Sequence, residues 1–337
     1  MKNTPANIII SRTDSIGDVV LTLPVAAVLK KHFPHMQIGF MGKRYTKAVI
    51  EACKYVDQFI DVDEFLSGRV LINGHEPEAI LHVFPVPEIA SRARKLGIPV
   101  RIGTTNRIYH RTTCNQFVRL SRKNSTLHEA QLNIKLLEPF EINTDFTLEQ
   151  IGHMYGLEKL QPLDPTLHSL LDPQRYKLIL HPKSQGSGRE WPLDHFIQLI
   201  RSLDQNRFQI FITGTQKEHK HLLHLFREVG NLVTDLTGKM SLEQFLAFIA
   251  QCDGLVASGT GPIHLAAALG INAMGIFPPI RPVHPGRWSP LGPRSKVFVV
   301  DKNCNACKAH PTNCQCMRDI NALTLKNHLD KMPIGQL

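Results

Sequence analysis

The stretch Gly254-Leu-Val-Ala-Ser-Gly-Thr-Gly-Pro-Ile-His-Leu-Ala-Ala-Ala-Leu-Gly270 decides how the chain is read. Leu255 to Ala257 is an apolar run that suits a short buried strand. Ser258 to Gly261 is a tight turn of small residues, and Pro262 to Leu269 reads as a helix that Gly270 ends. Small residues at a strand-to-helix turn let a ligand come close to the backbone. The N–H groups and dipole of the new helix then favour negative charge there. The turn suits a phosphate. An ordinary strand–helix connection, with glycine serving only its dihedral angles, accounts for the same residues equally well.

Outward from this stretch, apolar runs alternate with helical patterns along the whole chain. Residues 7–11 form a strand, Arg12-Thr-Asp-Ser-Ile-Gly-Asp18 a polar turn, and residues 19–32 a helix closed by Phe33-Pro34. Strands are expected at 37–41, 59–62, 79–84 and 100–103, and helices at 46–55, 87–96 and 127–137, the last carrying His128 and Glu129. Residues 107–124 are basic and irregular and read as a surface loop. Prolines cluster between 162 and 173, which suits a linker, and the pattern then restarts. Strands at 177–180, 208–213, 273–277 and 296–300 accompany helices at 194–203, 218–229 and 242–252. Such alternation gives parallel sheets covered on both faces. The expected architecture is α/β, with two Rossmann-like halves over residues 1–165 and 174–337. In such sheets ligands sit beyond the carboxyl ends of the strands. The loops 11–18, 181–191, 214–218 and 258–264 all leave strand ends.

The composition bounds the chemistry. At 337 residues the chain is long enough for two cores, and no apolar run reaches membrane-spanning length. A strand begins almost at once with no hydrophobic segment before it, so a cytosolic protein is expected. The excess of 39 Lys and Arg over 29 Asp and Glu, a net charge of +10, implies anionic company. Because the basic residues are dispersed rather than massed in an arm, nucleic acid is not the expected partner. No Gly-x-Gly-x-x-Gly or Walker A sequence occurs, which removes most support for a dehydrogenase or a phosphate-loop ATPase.

Four separated segments together resemble the heptosyltransferases of glycosyltransferase family 9. They are Ile10 to Pro24, His181 through Arg189-Glu-Trp-Pro192, Lys239-Met-Ser-Leu-Glu243, and the stretch quoted first with its continuation to Arg287-Trp-Ser-Pro-Leu-Gly292. The resemblance implies two facing Rossmann-like domains in the GT-B arrangement, acceptor-binding in the N-terminal half and donor-binding in the C-terminal half. It implies an inverting, metal-independent transfer of a sugar, with heptose leading, from an ADP-sugar to a lipopolysaccharide core acceptor. No cofactor is implied. The expected place is the cytoplasm, with peripheral contact at the inner face of the membrane, where basic loops such as 107–123 would meet phosphorylated acceptor or anionic lipid.

By the same resemblance Asp18 takes the position of the catalytic base. The chemistry needs one, because the acceptor hydroxyl loses its proton as it attacks the anomeric carbon. Asp18 falls in the first turn of a helix, where the dipole favours the carboxylate, and Asp14 is its rival. Arg189 stands where relatives carry a phosphate-contacting lysine and keeps the charge in a forked form. Ser184, Thr260, Gly261 and His264 match donor-phosphate positions, Glu218 a ribose-holding acid and Met240 the adenine pocket. Many relatives have an aspartate where this chain has Gly259, so the transferred sugar stays open.

Of seven cysteines, Cys53, Cys114 and Cys252 read as isolated buried thiols. Cys304, Cys307, Cys314 and Cys316 could bind zinc, but the unequal spacing of the pairs favours thiols packed in a compact loop, and no metal site is expected. Two rival functions remain open at this point. One is a nucleotide-sugar epimerase or hydrolase of the same fold. The other is a basic binding module that docks through its cysteine tail.

Overall fold

The computed structural model describes residues 4–302, 304 and 314–334. The chain divides into two compact units, with the boundary between Lys159 and Leu160. Each unit holds one parallel six-stranded sheet.

In the first unit the strands are β1 (Asn7–Ser11), β2 (Gln37–Gly42), β3 (Gln58–Asp61), β4 (Ala79–His82), β5 (Val100–Thr104) and β6 (Gln116–Val118). They lie in the order β3-β2-β1-β4-β5-β6. The central strand shows why this sequence makes a sheet covered on both faces. Ile8, Ile9 and Ile10 are all fully buried, so no residue of the run can face water, and β-branched side chains pack well on a pleated surface.

In the second unit the strands are β7 (Tyr176–His181), β8 (Phe208–Ile212), β9 (Thr234–Asp235), β10 (Gly254–Ser258), β11 (Asn272–Ile276) and β12 (Ser295–Phe298). Their order is β12-β11-β10-β7-β8-β9. The core gathers Trp191, Phe196, Phe208 and Met274 with Leu325 and Leu329 of the C-terminal helix Ala322–Leu329. Trp191 Nε1 donates to the Ile320 carbonyl at 2.8 Å, which ties that C-terminal segment to the loop after β7.

Several expectations change, and the helix expected over 218–229 is two, Gln216–His219 and Leu223–Val229. The helix expected over 19–32 is two helices, Ile16–Val20 and Leu23–His32. Pro24 has no N–H to give the Val20 carbonyl, and the Thr22 hydroxyl takes up the Asp18 carbonyl at 2.8 Å, so the chain turns at residues 21–22. The basic stretch 107–124 is not simply irregular. It contains the helical turn His110–Thr113 and the edge strand β6, whose Val118 is buried opposite Thr104. The proline-rich segment lies inside the second unit and forms the short helix Pro165–His168, capped by Asp164 accepting from the Thr166 N–H at 2.8 Å.

Cys53, Cys114 and Cys252 are buried free thiols, and Cys314 and Cys316 are buried in the second core with Cys304 packed against it. Cys307 lies outside the described residues. Among the described residues no group of three His, Cys, Asp or Glu side chains is arranged to hold a metal ion.

A buried histidine pair gives the first unit a pH signature. His82, the last residue of β4, is fully buried beside His110, with ring centroids 5.6 Å apart. Burial, reinforced by His110 and Arg101, lowers its pKa to about 3. A folded pKa below the unfolded value means that the unfolded chain takes up the proton first. Stability is therefore intact above about pH 6.5 and lost as pH falls below it, by a few kcal/mol at pH 4. The His82→Leu variant should lose distinctly less stability than the parent between pH 7 and pH 4 in urea titrations. Equal acid sensitivity of the two proteins would refute the assignment.

Candidate active site

Strand order marks one ligand position in each unit. A parallel sheet opens a crevice where its order reverses, at the carboxyl ends of the two strands flanking the reversal. In the first unit these strands are β1 and β4, and in the second β7 and β10.

The turn after β1 carries Asp14 and Asp18. Asp18 is the third residue of the helix Ile16–Val20, and its side chain is held from both sides. Oδ1 accepts from Arg12 Nη2, and Oδ2 accepts from Ser15 Oγ at 2.5 Å. Arg12 is buried and serves several partners at once. Its Nε donates to Asp14 Oδ1 at 2.7 Å, and its Nη1 donates to Glu129 Oε1 at 3.1 Å and to Asn133 Oδ1 at 3.4 Å. Arg122 approaches the same acid, its Nε donating to Glu129 Oε1 at 3.0 Å while Nη2 donates to the Val83 carbonyl just past β4. Burial works against the Arg12 charge, yet Asp18, Asp14 and Glu129 together hold its pKa above the ordinary value. Burial also raises the Asp14 carboxyl to about 6, with Arg12 opposing and Asp18 adding to the rise.

At the second crevice the loop after β7 meets the turn after β10. The Trp191 N–H donates to Ser258 Oγ at 3.0 Å. Gly188 lies so close to Gly259 that a Cβ there would meet the Gly259 carbonyl oxygen at 2.5 Å. Thr260 is the N-cap of the helix Gly261–Ala268, extended in conformation, and its side chain does not cap that helix. Gly261 opens the helix and His264 is buried in its first turns. Ser184 points its polar groups inward, its N–H and hydroxyl both reaching Glu190 Oε1, at 2.9 and 3.2 Å, while Lys183 pairs with Oε2. Arg189, partly buried, sits in this loop next to Glu190.

Glu218 lies at the neighbouring strand end. It serves as the acid of a capping box, accepting from the Thr215 N–H at 2.7 Å and hydroxyl at 2.9 Å. Met240, partly exposed, follows Gly238, whose N–H donates to the Gly214 carbonyl at 2.8 Å. His181 joins the β7 and β8 ends through a 2.9 Å contact to Thr213 Oγ1. Burial lowers its pKa to about 4 against the opposing fields of Glu218 and Glu190, so the ring is neutral near pH 7.

The structure thus brings Ser184, Arg189, Thr260, Gly261 and His264 to one crevice and Glu218 and Met240 to the adjoining strand end. Asp14 and Asp18 stand at the crevice of the first unit. Arg12, Glu129, Asn133, His181 and Glu190 escaped the reading of the sequence as site residues. Arg12 carried a signal, a charge directly after the strand Asn7–Ser11 with its run of three isoleucines.

Gly259 has a physical explanation. A Cβ at that position would sit 2.5 Å from the ring of Phe277, which is buried between Gly259 and Gly275. An aspartate there requires the ring to leave.

The family model for glycosyltransferase family 9 (heptosyltransferase) matches residues 90–318. A lipooligosaccharide heptosyltransferase 2 of Campylobacter jejuni is 24% identical over 314 residues, spanning 90% of this chain and 92% of its own. The structure of E. coli ADP-heptose lps heptosyltransferase II superposes with a TM-score of 0.75 at 18% identity, covering 96% of this chain and 97% of that one. A family 9 glycosyltransferase from Veillonella parvula superposes with a TM-score of 0.80 at 18% identity over 97% of both chains. These structures share the fold of two parallel α/β sheets.

Three substitutions test the geometry. Arg12→Met takes the shared cation from Asp14 and Asp18, leaves Glu129 to Arg122 alone, and should lower the stability of the first unit by about 3 kcal/mol in urea titrations. A loss below about 1 kcal/mol would show that the network is slack. Gly259→Asp should cost about 2 kcal/mol by overpacking. Combined with Phe277→Ala it should couple favourably by at least about 1 kcal/mol in a double-mutant cycle. Strict additivity would remove Phe277 as the cause.

Proposed function

Because the chain belongs to glycosyltransferase family 9, the heptosyltransferase family, we propose that it is an inverting glycosyltransferase moving heptose from ADP-heptose to a lipopolysaccharide core acceptor. The observation that carries the reading is the Asp18 carboxylate, held between Arg12 and Ser15 at the β1–β4 crevice. The names of the E. coli neighbour, an ADP-heptose lps heptosyltransferase, and of the C. jejuni relative, a lipooligosaccharide heptosyltransferase, support the choice of substrates.

In this reading the first unit binds the acceptor and the second binds the donor. Each Asp18 oxygen accepts one hydrogen bond and keeps a further lone-pair position, so the group can still take a proton. The acceptor hydroxyl gives its proton to Asp18 as its oxygen attacks the anomeric carbon. The bond from that carbon to the diphosphate breaks on the opposite face, ADP leaves with the electron pair, and the configuration inverts. Charge growing on the diphosphate is met by Arg189 and by the start of the helix Gly261–Ala268, where Thr260, Gly261 and His264 stand. Fixed protein charge then does the work without a metal ion. The loop ordered by Ser184 and Glu190 shapes this end of the site, and Glu218 and Met240 take the nucleoside. Among the described residues no helix is long and apolar enough to cross a membrane, and we place the enzyme at the cytoplasmic face, in peripheral contact with lipid.

Asp18→Asn should reduce transfer from ADP-heptose by about 100-fold or more, while the rise in melting temperature with ADP is retained. The parent should turn over equally with and without EDTA. Undiminished turnover of the variant would move the proton acceptor elsewhere, with Asp14 next in line. Loss of activity in EDTA would end the metal-independent reading.

A further inference from the structure

Two exposed aromatic rings stand beside the turn that carries Asp18, and the proton transfer assigned to that turn does not use them. Among the described residues three aromatic side chains are well exposed, Tyr45, Phe84 and Phe117, and the first two adjoin residues 12–18. Tyr45, 52% exposed, lies in the short helical turn Arg44–Thr46 that follows β2. Its hydroxyl donates to the Asp14 carbonyl. Phe84, 38% exposed, lies two residues past β4, and the guanidinium carbon of Arg12 is 5.8 Å from the centre of its ring. Because β1 lies between β2 and β4, one ring flanks the turn on each side. Burial and the fields of Asp14 and Asp18 raise the Tyr45 phenol above its ordinary pKa, which puts this ring beside both carboxylates.

Both rings are anchored. The Val83 and Phe84 N–H groups donate to the Ser11 carbonyl, each at 3.1 Å. The Thr46 hydroxyl closes the Tyr45 turn by donating to the Lys43 carbonyl at 2.8 Å. A single exposed ring needs no explanation, but two rings pinned on either side of paired carboxylates make one composite surface.

We propose that Tyr45 and Phe84 form a stacking subsite for the acceptor sugar, whose C–H face lies on the rings while its hydroxyls face Asp14 and Asp18. A sugar ring has faces of C–H groups and a rim of hydroxyls. The C–H groups carry weak positive charge and suit the negative face of an aromatic ring, and the hydroxyls suit carboxylate acceptors. A wholly apolar ligand would bury both carboxylates without partners, and an anionic group seated here would face their charge. Naming the ligand as the acceptor rests on the function proposed above, whereas affinity for a sugar face does not.

The test separates a flat face from apolar bulk. Tyr45→Leu and Phe84→Leu keep the bulk and lose the face, and Tyr45→Phe and Phe84→Tyr keep both. The probe is a lipid-free core oligosaccharide made by deacylating lipopolysaccharide, followed by calorimetry and saturation-transfer NMR without donor. The parent should bind it, with saturation passing most strongly to the C–H protons of one sugar face, a measurement that needs no variant. Each leucine variant should bind about tenfold more weakly, and the Phe and Tyr variants close to the parent. In transfer assays the leucine variants should raise the acceptor KM by the same factor, with kcat and the donor KM little changed. All four should keep the parent melting temperature and its shift with ADP. The proposal is overturned if the parent does not bind the oligosaccharide or if saturation reaches no C–H face preferentially. It is also overturned if folded leucine variants bind as the parent does, the result expected of rings that meet lipid, or if the conservative variants lose as much as the leucines. Oligosaccharide binding that needs both rings, without sugar transfer by the parent, would defeat the functional reading and leave this one standing. Transfer with an unchanged acceptor KM in the leucine variants would do the reverse.

Discussion

The buried guanidinium of Arg12 constrains the rest of the first unit. Taking an arginine out of water costs several kcal/mol unless its donors are met, so the chain around it has little freedom. The bonds close into a ring. Arg12 holds Asp18, the Asp18 carbonyl accepts from Thr22, Thr22 and Leu21 accept from the Asn133 amide, and the Asn133 carbonyl accepts from Arg12. This ring fixes the turn after β1, the break between the first two helices and the seating of the helix Glu129–Lys135. Arg122 extends it to the end of β4 through the Val83 carbonyl. The two strands flanking the crevice are therefore tied to one polar cluster.

The second unit reaches a comparable result by close packing of backbone. Gly188 lets the loop after β7 touch the turn after β10, and Gly259 lets Phe277 fill the space beneath that turn. Side chains at either position would push the helix Gly261–Ala268 away from the loop bearing Arg189. Here the glycines are needed for approach. Neither has the positive φ that would call for glycine on conformational grounds.

What the sequence made legible follows from distance along the chain. Strands such as Ile8–Ile10 and Leu178–Leu180 announce themselves because both faces of each sheet are covered, so the apolar runs are unbroken. The turns bearing Asp18, Thr260 and Gly261 stand out as polar or small residues directly after such runs. The strand β6 hides in a basic stretch because three residues are too few for a pattern and its pairing is supplied by β5. Two partners of Arg12, Glu129 and Asn133, lie 117 and 121 positions away, so nothing local points to them. Ser184 and Glu218 could be placed on their loops from sequence, but their engagement with Glu190 and Thr215 could not. Gly259 stood out as a departure, and its cause, Phe277, appears only when β10 and β11 lie side by side.

In the proposed reaction, the arrangement around Arg12 also bears on how a base works beside an arginine. A lone cation next to a carboxylate favours its charged form and weakens it as a proton acceptor. Here Asp14, Asp18 and Glu129 share Arg12, and Glu129 also meets Arg122. The Asp18 charge contributes to the rise of Asp14 to about 6, beside the larger effect of burial. Arg12 meanwhile holds Asp18 in one orientation. In the proposed reaction the opposite need, positive charge on a departing diphosphate, is met in the second unit by Arg189 and a helix start.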